Sequence, residues 1–142
     1  MEVKQISVFL ENKPGKLAHI CRILADAGID LKALNIAETS DYGVLRIITD
    51  SPEKTMQVLS SENLVCRCTG VVAVKVPNVP GGLADVLDVI AKREISIEYM
   101  YSMLGSSTSG NAVLVFQTSA APSVFTQAGL CVIDGSELGI EG

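Results

Sequence analysis

A short motif occurs twice in this sequence, and that repetition limits the fold more than any other feature. Pro14-Gly15-Lys16-Leu17-Ala18 returns 66 positions later as Pro80-Gly81-Gly82-Leu83-Ala84. At the same offset Ile20 meets Val86, Leu24 meets Ile90, Ala25 meets Ala91 and Ile29 meets Ile95. The offset widens to 69 where Val44-Leu45 meets Val113-Leu114, then returns to 66 at Leu64 and Leu130. Matches that keep their order through small changes of offset mark two copies of one unit. The expected modules are residues 1–70 and 71–142. A unit that small buries too little surface to be more than marginal alone, so a tandem pair is also a physical remedy.

Periodicity assigns the elements within each copy. Ile6, Val8 and Leu10 alternate as a half-buried strand does, and Leu17, Ile20, Cys21, Leu24 and Ala25 form one apolar helix stripe. Gly28 follows the stripe, where a left-handed residue ends helices. Leu31 to Glu38 and Gly43 to Thr49 read as strands joined by the Thr39-Ser40-Asp41-Tyr42 connection. Ser51 and Pro52 supply a cap and a first helical position for a helix from Glu53 to Ser60, and Leu64 to Cys68 closes the copy. The second copy repeats the order. Val72, Val74 and Val76 form a strand, and Leu83, Val86, Leu87, Ile90 and Ala91 a helix stripe. A hairpin of Ile95 to Leu104 and Ala112 to Thr118, tipped by the insertion Ser106–Asn111, comes next. A weak helix near Ser123 to Ala128 and a strand from Leu130 to Ile133 end the copy. The order βαββαβ, twice, predicts an α+β chain of two ferredoxin-like modules with both helices on one face of each antiparallel sheet.

Composition narrows the function. The chain carries a net charge of −5 and only 11 Lys and Arg, a balance that repels phosphate backbones and argues against nucleic acid. The N-terminus lacks a signal peptide's apolar stretch. The uncharged run from Tyr99 to Ile133 is broken by its Ser-rich insertion before it could span a bilayer, so no membrane association and a cytoplasmic location are expected. Cys21, Cys66, Cys68 and Cys131 then read as buried reduced thiols. Cys66 and Cys68 share a strand face, but a zinc site needs two further ligands and the sole His, His19, lies elsewhere, so no metal or cofactor is called for. No nucleophile with a base, no G-x-S-x-G, no P-loop and no dinucleotide fingerprint is present, so the chain is expected not to be an enzyme.

The strand–helix loops hold the candidate ligand site. They are Asn12-Lys13-Pro14-Gly15-Lys16-Leu17 and Asn78-Val79-Pro80-Gly81-Gly82-Leu83. Gly15, Gly81 and Gly82 allow close backbone approach, and the helix that follows presents free N–H groups and a positive dipole end suited to a carboxylate. The same pattern is also an ordinary Pro-Gly turn, and that alternative stays open.

Asn-x-Pro-Gly-x-Leu at a strand–helix junction, followed by an amphipathic helix, Gly28-Ile29-Asp30 and a second strand, resembles the ACT domain over nearly the whole chain, twice. The resemblance implies a regulatory module whose sheets pair side by side. It also implies binding of an amino acid where the loop of one module faces the second strand of its partner. Carried over, it places Asn12 and Asn78 in the ligand loops and Asp30 and Ser96 at the partner-strand positions. Leu10 and Val76 stand where serine-sensing members have His, which favours an apolar or aromatic side chain over serine. Lys13, Lys16 and Asp30 against Val79, Gly82 and Ser96 imply two unequal half-sites. The apolar hairpin residues Tyr99, Met100, Tyr101 and Met103 imply hidden surface, as an interface between copies or between chains, with a homodimer favoured, or as a sheet face covered within the chain. The expected function is a regulatory protein that binds a small molecule, an amino acid, and acts through a partner enzyme or regulator. A protein–protein module that has lost its ligand is the alternative.

Overall fold

Alternating apolar residues become paired strands in both halves of the chain, and the stripes between them become helices laid on one sheet face. The computed structural model describes residues 2–38, 41–104 and 110–141. Two compact units emerge: Lys4–Thr69 with Gly139–Gly142, and Gly70–Leu138 with Met1–Val3.

The first unit contains β1 (Val3–Glu11), α1 (Lys16–Asp26), β2 (Leu31–Glu38), β3 (Tyr42–Thr49), α2 (Pro52–Ser61) and the start of β4 (Val65–Pro77). β3 lies between β1 and β2 and is antiparallel to both, with Val8 opposite Leu45 and Leu34 opposite Ile47. β1 and β2 therefore run parallel. Ile6 and Val8, Leu45 and Ile47, Ile20 and Leu24 of α1, and Leu59 of α2 form one buried cluster with Ile29. Each such side chain contributes about 1.5–3 kcal/mol on leaving water. Leu17, at the start of the stripe, packs partly buried against the cluster.

The second unit takes the rest of β4, then α3 (Gly82–Lys92), β5 (Ile97–Ser102), β6 (Asn111–Thr118), α4 (Pro122–Gln127), β7 (Cys131–Ile133) and a 3₁₀ turn at Gly135–Leu138. Its strand order is β7-β4-β6-β5, the ferredoxin-like order, around Val72, Val74, Val76, Val86, Ile90, Phe116 and Phe125. Helix α4 has six residues where α2 has ten, and Pro opens both. Phe125 compensates for the lost turn by packing its ring against Phe116, centroids 6.2 Å apart.

All four helices stop in the same way. Ile29, Leu64, Ile95 and Leu130 each donate an N–H five positions back, to Leu24, Leu59, Ile90 and Phe125. The residue before each donor is left-handed: Gly28 (φ 72), Asn63 (φ 60), Glu94 (φ 57) and Gly129 (φ 87). This is the Schellman closure, which satisfies the last carbonyls and buries an apolar residue just past the helix.

Several expectations are corrected. The strands expected at Leu64 to Cys68 and from Val72 are one 13-residue strand, because Gly70 between them stays extended and makes no turn. Cys68 and Cys131 are exposed and Cys21 and Cys66 only partly buried, so these thiols are not core residues. Burial still pushes the Cys66 thiol up. Ser51 does sit at the N-cap of α2, but its hydroxyl donates to Asp50 Oδ1 at 2.9 Å and does not cap the helix. Tyr101 and Met103 are buried within the chain and offer no free apolar face. The hairpin tips Thr39-Ser40 and residues 105–109 of the Ser-rich insertion lie outside the described residues. Among the described residues no helix is long and apolar enough to cross a membrane, and no His, Cys, Asp and Glu cluster could hold a metal.

Candidate functional site

Both candidate loops fold into the same tight turn. Lys16 N–H donates to the Lys13 carbonyl at 3.3 Å, and Gly82 N–H to the Val79 carbonyl at 3.0 Å. Pro14 and Pro80 occupy the first central position, and Gly15 (φ 86, ψ −12) and Gly81 (φ 85, ψ −11) the second. A type II turn needs a left-handed residue there and favours Pro before it. Each Gly is also the N-cap of its helix, and no side chain caps either one. The first amide of each helix is taken by the turn, and the next ones in the first turn of α1 and α3 have no intrahelical acceptor and lie at the positive dipole end. The hairpin of each unit flanks its loop, since Asn12 N–H donates to the Asp41 carbonyl at 3.1 Å and Asn78 N–H to the Gly110 carbonyl at 2.8 Å.

The turns share a backbone and differ in what surrounds it. In the first, Asn12, Lys13, Pro14, Gly15 and Lys16 are exposed, and Lys13 Nζ pairs with Glu11 Oε2 at 2.8 Å. The hydrogen bond from Lys13 holds the Glu11 carboxyl below its ordinary range, with Lys16 adding a smaller pull, and Glu11 in turn raises Lys13. In the second, Val79 is 59% exposed and Leu83 is exposed, whereas Gly82 is buried under the Pro77 carbonyl. A Cβ at Gly82 would collide with that oxygen.

Asp30 and Ser96 do not join their loops within a unit. Asp30 precedes β2 and is tied to Asp50 at the far end of β3, whereas Asn12 sits beside the other end. Eight strand residues at about 3.3 Å each separate those ends by roughly 25 Å. Ser96 stands likewise before β5, while Asn78 meets the opposite end of β6. Loop and Asp30-type position therefore do not come together within either unit.

Asp30 has neighbours that the sequence pattern did not reveal. Its carboxylate meets Lys32 Nζ at 3.2 Å, and its N–H donates to Asp50 Oδ1 at 3.1 Å. Lys32 falls in the register shift between Leu31 and Ala33, a bulge that re-aims its side chain. The second unit has the same shift between Ile97 and Tyr99. Two clefts flank α2: one of about 420 Å³ lined by Ser51, Pro52, Glu53, Lys54, Gln57 and Glu141, and one of about 300 Å³ that includes Lys4, Met56 and Cys68. Neither is lined by the predicted loops.

Comparison with known proteins identifies the family and the fold. Residues 1–132 match the family described as an ACT domain pair. The chain belongs to the ACT domain pair family. Protein BT0572 from Bacteroides thetaiotaomicron is 36% identical, with 98% of this chain and 96% of that one covered and a TM-score of 0.87. The regulatory subunit of aspartate kinase from Thermus thermophilus, in a ligand-free form, is 16% identical over 89% of each chain, with a TM-score of 0.65. The corresponding subunit from Thermus flavus is also 16% identical, with 90% and 88% covered and a TM-score of 0.60. These two likenesses speak for the ACT fold alone. A search of curated proteins gave no match. An ACT pair is a regulatory kind of domain, not a catalytic one.

Proposed function

We propose that this ACT pair is a regulatory protein that binds an amino acid through the loops before α1 and α3 and performs no catalysis. The observation that carries the reading is the conserved geometry of two divergent loops. Both hold a left-handed glycine at the N-cap and leave first-turn amides without an intrahelical acceptor, although the residues around them differ. Such amides suit a carboxylate, and the Asp30 carboxylate suits an ammonium group supplied at a second module. Lys16 and Asp30 make the first module's half-sites the stronger pair; Gly82 and Ser96 give the second less charge to work with.

The proposal includes self-association and transfer of the bound state to a partner enzyme or regulator. Phe9 at 48% and Tyr42 at 65% exposure leave apolar surface on the first module that a second chain could cover. Light scattering that returns a clean monomer at high concentration removes that part. The binding claim is tested by thermal shift against the twenty amino acids, since a ligand that binds only the folded state raises apparent stability. A rise with one or a few amino acids, weakened more by Asn12→Ala than by Asn78→Ala, is expected. A flat panel sinks the claim.

A further inference from the structure

Asp30 is held from two sides. Its N–H donates to Asp50 Oδ1 at 3.1 Å, while its carbonyl accepts the Asp50 N–H at 3.1 Å. Its carboxylate, 66% exposed, pairs with Lys32, whose side chain is only 28% exposed. One short segment bonds to Asp50 and passes beside Lys32. The chain leaves the second unit after Leu138, and Gly139–Gly142 belongs to the first. Glu141 N–H donates to the Asp50 carbonyl at 2.8 Å. Gly139, at φ 74, lies so near Lys32 that a Cβ there would stand 3.6 Å from Nζ. Glu141 also borders the cleft at the start of α2, opposite Ser51 and Lys54.

We propose that Gly139–Glu141 is a strap that keeps the exposed Asp30 carboxylate paired with Lys32. Seated, it braces Lys32 and Asp50 around Asp30 and keeps Lys32 as the carboxylate's partner. Released, it lets Lys32 swing away and leaves the carboxylate to an external ammonium group. Strap and ligand thus favour opposite states of one group, and a ligand that takes Asp30 loosens the strap by the same factor that the strap weakens the ligand. Switching elements are drawn from the low-stability end of a fold. The second module has no counterpart, because Ser96 and Glu98 replace the Asp30 and Lys32 pair. The inference rests on the reading of Asp30 as a ligand residue and names its regulation.

Carbodiimide-driven coupling of glycine ethyl ester, an amine probe of free carboxylates, tests the strap without any knowledge of the natural ligand. Glu141→Pro removes the donor N–H, and Lys32→Met removes the competing ammonium. Both changes lie outside the buried clusters, and unchanged thermal midpoints confirm that each variant folds. Labelling of Asp30, read by mass spectrometry of the full chain, is expected to rise at least twofold in both variants and to stay level at Glu98. Unchanged labelling in Glu141→Pro overturns the strap. A labelling rise beside a flat amino-acid panel keeps the strap and removes the binding reading. A positive panel with unchanged labelling does the reverse.

Discussion

The two modules reach one backbone by different packing, and the comparison shows which parts of the unit are fixed by geometry and which are free to diverge. At the end of α2 the residue beneath the Schellman closure is Leu59; at the end of α4 it is Phe125. Facing them are Ile47 on β3 and Phe116 on β6, in matching places. The aliphatic pair serves a helix of ten residues and the aromatic pair a helix of six. A missing turn is thus offset by larger side chains, not by a change of topology.

That exchange sets the largest expected effect. Phe125→Ala should destabilise the chain by about 4 kcal/mol and Leu59→Ala by about 3, as deletions of buried aromatic and aliphatic groups do. Denaturant unfolding measures both. Because Phe125 is the buried residue of the six-residue α4, Phe125→Ala should also lower its helical hydrogen-exchange protection, an effect absent at α2 in Leu59→Ala. Equal loss in both helices would break the comparison.

The loops give the next contrast. Gly82 has no room for a side chain beneath the Pro77 carbonyl, whereas Lys16 at the matching place is exposed. Gly82→Lys should cost about 3 kcal/mol by forcing backbone apart, the upper range for overpacking. The reciprocal Lys16→Gly should cost about 1 kcal/mol, the difference in helix propensity alone. Thermal and denaturant midpoints distinguish the two. If Gly82→Lys is tolerated as well as its reciprocal, the loops are interchangeable and the unequal half-sites lose their structural basis.

How much of this was legible in the sequence depends on the length scale of the signal. The repeat, the element order and the helix stripes were readable because Ile20, Leu24, Val86 and Ile90 recur at helical spacing and Val72, Val74 and Val76 at strand spacing. Pro-Gly in each loop announced its turn for a similar reason: one residue presets φ and the next accepts the left-handed region. Tertiary facts left no such trace. Nothing in Thr69-Gly70-Val71 says that the chain continues straight, and nothing in Gly139-Ile140-Glu141 says that it docks against Asp50. The Lys32–Asp30 pair sits at a register shift just where β2 begins, a place that strand period does not mark.

Helix ends offer a smaller effect with a sign that differs between modules. Gly28 and Glu94 are both left-handed and end α1 and α3 with the same pair of hydrogen bonds. Only the glycine adopts that backbone without a Cβ penalty, which is about 1 kcal/mol for other residues. Glu94→Gly should therefore stabilise the chain by roughly 0.5–1 kcal/mol, and Gly28→Ala should destabilise it by about 1. No atom lies within 4 Å of a Cβ placed at Gly28, so the second figure measures backbone strain and not a clash. Destabilisation by Glu94→Gly would mean that the Glu side chain contributes more than its conformation costs.

The smallest effect belongs to the charge pair that only the first loop carries. Lys13 and Glu11 correspond to Val79 and Pro77, so no equivalent ion pair is available in the second loop. The Lys13 hydrogen bond lowers the Glu11 carboxyl from its ordinary 4.5, and a lowered carboxyl contributes stability above that value and loses it as pH falls through the folded one. Lys13 is raised from 10.5, so its contribution is present below that value and fades as pH rises through the folded one. The pair is thus complete between about pH 4.5 and 10.5. Both side chains are open to solvent, and exposed pairs of this kind add little to stability and weaken further in salt. Lys13→Met should leave the unfolding midpoint at neutral pH unchanged within scatter, while an NMR titration should show the Glu11 carboxyl moving back up. High salt should move it the same way in the unaltered protein, with no comparable change around Val79. A midpoint that drops clearly in Lys13→Met would give that lysine a structural part in the first loop that the geometry does not provide, and the contrast with Val79 would then concern folding and not ligand binding.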